Sequence, residues 1–84
     1  MLRVGPTPLF FGVPIILEFD PAMSVTDARR AHNVVTGVAA RLQKQSATVD
    51  DLIAQISLVL GHSGLAAQVV GRTRDVVEFH IARP

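Results

Sequence analysis

The helix-start signature Ser24-Val25-Thr26-Asp27 recurs as Thr48-Val49-Asp50-Asp51, and no other feature restricts the fold of this chain so much. In each, a hydroxyl residue precedes an aspartate by three positions, the arrangement that satisfies the orphan N–H groups of a first helical turn. Behind the first signature, Ala28, Ala31, Val35, Val38 and Leu42 recur at spacings of three and four, which predicts a helix from about Val25 to Gln45. Its opposite face carries Asp27, Arg30, Arg41 and Lys44. Behind the second, Val49, Leu52, Ile53, Ile56, Val59 and Leu60 predict another amphipathic helix that stops at Gly61. A connection of about three residues leaves the two helices antiparallel or steeply crossed.

Strands flank this pair. Pro14 confines any strand through it to an edge or a start, so the first strand runs from about Ile15 to Asp20 and turns at Asp20-Pro21-Ala22-Met23. Leu65 to Val70 and Val76 to Ala82 are rich in valine and enclose Gly71-Arg72-Thr73-Arg74-Asp75, the composition of a β-hairpin tip. The order β-α-α-β-β predicts an α+β two-layer sandwich: a three-stranded, mostly antiparallel sheet with two helices on one face. All 84 residues fit one domain, with residues 1–12 an extended apolar arm because Gly5, Pro6 and Pro8 interrupt it.

Such a short chain buries only about 60 to 65% of the surface its unfolded form exposes. With 49% hydrophobic residues it is too apolar for disorder and holds more apolar surface than one small core absorbs. The excess points to homo-oligomerisation or docking into a larger complex. Leu9, Phe10, Phe11 and Val13 are the candidate interface, since they lie in a segment too rich in proline for a central strand.

The absence of cysteine excludes thiol catalysis and cysteine-ligated metals. A net charge of +1 with scattered cations argues against a nucleic-acid footprint, and Arg72 and Arg74 read as a solvated tip. The apolar run from Leu9 to Leu17 is broken by Gly12 and Pro14 and falls far short of the roughly 20 residues that span a bilayer. No secretory signal is legible, so the expected setting is cytoplasmic.

Strand alternation places Ile15, Leu17 and Phe19 on one side and Ile16, Glu18 and Asp20 on the other; Val77, Phe79 and Ile81 separate in the same way from Glu78 and His80. If the first and last strands are neighbours, Glu18, Asp20, Glu78 and His80 share a face, and their donors suit a divalent cation such as Zn²⁺ or Mn²⁺. The competing reading is the wet face of a half-covered sheet, which alternation alone requires. His32 beside the apolar face of the first helix reads as a packed residue, and His62 as a favourable charge at a helix end. The glycines at 61, 64 and 71 follow a helix and precede strands, the wrong polarity for a phosphate loop. No nucleophile motif or catalytic residue is legible, and no enzyme is expected.

The run Leu17-Glu18-Phe19-Asp20-Pro21-Ala22-Met23-Ser24-Val25-Thr26-Asp27-Ala28 resembles part of the cytoplasmic domain of cation diffusion facilitator transporters, in which a strand passes through a turn into a Ser-Val-x-Asp-Ala helix start. The stretch from Val49 to Ile81 is similar to that domain's opening helix and hairpin, with His80 at the place of a second-strand histidine. The pieces stand in a different order from the family's, and Arg29 occupies a position where the family usually has histidine. The resemblance implies a small ferredoxin-like module that oligomerises.

Together these features point to a non-enzymatic assembly or protein-interaction module, with a metal-responsive module built on Glu18, Asp20, Glu78 and His80 as the alternative.

Overall fold

In the computed structural model, which describes residues 5–84, both signatures start helices. Ser24 Oγ accepts the Asp27 N–H at 3.1 Å and opens α1 (Val25–Lys44). Thr48 Oγ1 accepts the Asp51 N–H at 3.2 Å while Asp51 Oδ2 accepts the Thr48 N–H at 3.0 Å, a reciprocal box that opens α2 (Val49–His62). The second helix passes Gly61 and ends at Ser63; the next residue, Gly64, turns the chain out at φ +77°, a conformation that favours glycine.

The sheet has four strands, not three: β1 (Leu9–Phe10), β2 (Val13–Phe19), β3 (Ala66–Arg72) and β4 (Val77–Ala82), in the order β1-β2-β4-β3. It is mixed, because β2 and β4 are parallel while β1–β2 and β3–β4 are antiparallel. Two antiparallel helices restore the chain direction, so β3 runs against β2 and β4, its hairpin partner, runs with β2. The hairpin folds so that β4, not β3, meets β2. That gives the most deeply buried strand two neighbours and holds Val77, Phe79 and Ile81 at 0 to 1% exposure in a core shared with both helices.

The additional strand comes from the segment expected to be an irregular arm. Phe10 folds back into the core, joining the buried cluster that includes Ile15, Val35 and Val38. The chain then reverses through Phe11 and Gly12, at φ +50° and +80°, pairing Phe10 with Val13 across a two-residue loop of the primed type whose twist suits a hairpin. Residues 1–4 of the arm lie outside the described residues.

The arm is also pinned further upstream. His32, buried on α1, has Nε2 2.7 Å from the Pro6 carbonyl, close enough for the ring N–H to donate to it. Gly5 lies so near this imidazole that a Cβ there would stand 2.7 Å from His32 Cε1. Only a residue without a side chain fits between arm and ring.

Candidate functional site

Alternation and pairing together define what the β2 edge offers. The Ile15 N–H donates outward to Pro8 O at 2.9 Å, and the Asp20 N–H donates inward to Ile81 O at 2.9 Å. Odd residues of β2 therefore aim their N–H and C=O away from β4, and even residues aim theirs toward it. Since β1 covers only Val13 and Pro14, with Pro8 covering Ile15, the outward groups of Leu17 and Phe19 have no backbone partner among the described residues. An open groove of about 770 Å³ runs along this stretch, lined by Leu17, Phe19, Met23 and Val25 with Glu18 and Asp20 beside them.

The neighbouring edge is treated differently. Gln43 on α1 reaches over β1, where its Oε1 accepts the Phe11 N–H at 3.0 Å and its Nε2 donates to Leu9 O at 3.3 Å. A side-chain amide thus occupies two of the groups that would otherwise template another strand, the Leu9 carbonyl and the Phe11 N–H. Sequence reading missed Gln43, because nothing local marks a polar residue that clasps a strand 34 positions away.

The parallel register sets Ile16 beside Glu78 and Glu18 beside His80. His80 Nδ1 lies 3.8 Å from Glu18 Oε1 and Nε2 lies 3.9 Å from Asp20 Oδ2, so three of the four polar residues singled out in the sequence converge. These separations are electrostatic, beyond hydrogen-bond range. Asp20 also shapes the turn, its Oδ1 accepting the Ala22 N–H at 2.8 Å. Glu78 stands apart: its carboxylate lies over Gly71 on β3, where a Cβ would sit 3.2 Å from Oε2. Among the described residues no group of three or more histidines and carboxylates is arranged to hold a metal ion.

The four residues proposed as an interface divide. Phe10 is core, Val13 packs against the core, and Leu9 and Phe11 are more than half exposed. Phe11 keeps a left-handed backbone that non-glycine residues rarely adopt, held by its edge-to-face contact with Phe10 at 4.7 Å and by Gln43.

Asp27 corrects a reading based on helix periodicity alone. Placed by its spacing on the polar face of α1, it is buried, and its Oδ2 accepts hydrogen bonds from Arg83 Nε at 2.9 Å and from Nη2. The Arg83 hydrogen bonds hold its carboxyl below the usual range; Arg30 at 3.8 Å adds in the same direction, and burial opposes them. On the other side of the molecule Arg72 pairs with Asp50 in the first turn of α2, joining the hairpin to that helix.

Compared with known protein families, curated proteins and solved structures, the chain matches none. The resemblance to cation diffusion facilitator domains therefore rests on its sequence motifs alone. No helix among the described residues is long and apolar enough to cross a membrane.

Proposed function

We propose that this protein is a non-enzymatic assembly module that joins a larger complex by accepting a strand at the open stretch of β2. The observation that carries this reading is the contrast within one edge: Gln43 blocks the β1 portion, whereas the outward groups of Leu17 and Phe19 stand open beside an apolar groove. Exposed strand edges pair with other chains unless something prevents it, and strand addition is a recurrent mode of peptide recognition. Main-chain bonds would supply affinity, and the groove would receive alternate side chains.

Phe11 supports the same reading. A left-handed phenylalanine costs on the order of 1 to 3 kcal/mol that asparagine or glycine would largely avoid, while more than half of its surface is exposed. Its contact with Phe10 and its bond to Gln43 offset part of that cost, and the exposed remainder of the ring is apolar surface open to a partner.

Amide hydrogen exchange tests the proposal. In the isolated protein the Leu17 and Phe19 amides should exchange rapidly relative to those of Ile16 and Glu18, and in a complex with a bound partner both should slow at least about tenfold. A tight complex that leaves these two amides unchanged would overturn it.

A further inference from the structure

Resting on that reading, we infer that the strand accepted by β2 alternates basic and apolar residues and belongs to a different chain from this one. An added strand would present its side chains to the two faces in turn. On the helix side they would meet Leu17, Phe19, Met23 and Val25, which form the apolar wall of the groove. On the open face they would stand beside Ile16 and then Glu18 and Asp20, the last two being acidic at successive same-face positions. Glu18 has a side chain 72% exposed and Asp20 one 39% exposed, and neither has a Lys or Arg partner among the described residues; His80 is the one base beside them. Cross-strand pairs of opposite charge are favourable, so lysine or arginine at alternate positions complements this edge.

A second copy of this chain fits poorly. Its other edge strand, β3, carries a single base, Arg72, which already pairs with Asp50, and its β2 meets an opposing charge pattern of the same sign. On one side the edge is closed by Pro8, which takes the Ile15 N–H, and on the other by the turn at Pro21. Within those limits a two-fold antiparallel pairing must centre on Glu18, so that Leu17 of each copy bonds Phe19 of the other. That register sets Glu18 directly against its own copy. Like charges opposite one another on neighbouring strands repel.

Fluorescence anisotropy with three labelled, end-capped octapeptides tests this: one alternating lysine and valine, one alternating glutamate and valine, and one with the lysines and valines in separate blocks. The alternating basic peptide should bind at least about tenfold more tightly than either of the others and weaken as salt is added. Glu18→Lys changes an exposed side chain and should reverse the preference in favour of the acidic peptide. Equal binding of the block peptide, or an unchanged preference in Glu18→Lys, would overturn the inference. So would sedimentation showing a dimer whose Leu17 and Phe19 amides are protected without peptide. If a strand of some other composition protects those amides, this inference fails while strand acceptance at β2 stands.

Discussion

Arg83 donates through Nε at 2.9 Å to Asp27 Oδ2, so the residue just beyond the central strand is tied to the first turn of α1 across 56 positions of sequence. The carboxylate sits where a helix start favours negative charge, and the guanidinium closes over it from the sheet side.

This pair sets an expected acid response. A carboxyl group whose folded-state pKa is lowered contributes stability that is fully present above its unfolded-state pKa of about 4 and is lost as pH falls through the folded value. The stability difference between wild type and Asp27→Asn should therefore stay constant from neutral pH down to about 5 and shrink below about 4. Urea denaturation of both proteins across that range is the measurement; a difference that grows toward acid would refute the assignment.

Gly5→Ala is expected to displace the arm from α1, because the new Cβ would collide with the His32 ring and the φ of +153° is itself unfavourable to a side chain. Limited proteolysis should cut the variant within the arm faster than the wild type. His32→Ala removes both the ring and the bond to Pro6, so the double variant should be no more susceptible than His32→Ala alone.

The two phenylalanines of the β1–β2 hairpin should respond in opposite directions. Phe11→Asn relieves a left-handed conformation and is expected to raise stability by up to about 1 kcal/mol, whereas Phe10→Ala empties a core position and should lower it by about 3 to 5 kcal/mol. Shifted urea midpoints with an unchanged slope would report both.

On the polar face, the long separations and exposed carboxylate of the Glu18–His80 pair leave little stability to lose. Glu18→Gln and His80→Gln should each change unfolding free energy by about 0.5 kcal/mol or less. Titration calorimetry with Zn²⁺ should give superimposable traces for wild type and His80→Gln; a site held by that imidazole would separate them.

Much of the architecture was legible because it is written in local chemistry. Ser24 and Thr48 start the helices, apolar spacing selects their buried faces, and alternation divides Leu17 and Phe19 from Glu18, and Phe79 from His80, in advance of any fold. The parallel pairing of β2 with β4 was not legible, because it depends on β4 rather than β3 taking the place beside β2, where a mostly antiparallel sheet was expected. Other features depend on which distant elements meet, and local pattern carries no trace of them. Periodicity places Asp27 in solvent until Arg83 covers it. Proline and glycine mark residues 5–12 as irregular, yet Phe10 gains enough by burial to bring Leu9 and Phe10 onto β2 as a strand. Gln43 reads as a helix-surface residue until β1 passes beneath it, and only then does the boundary between a closed edge and an open one at Leu17 and Phe19 exist.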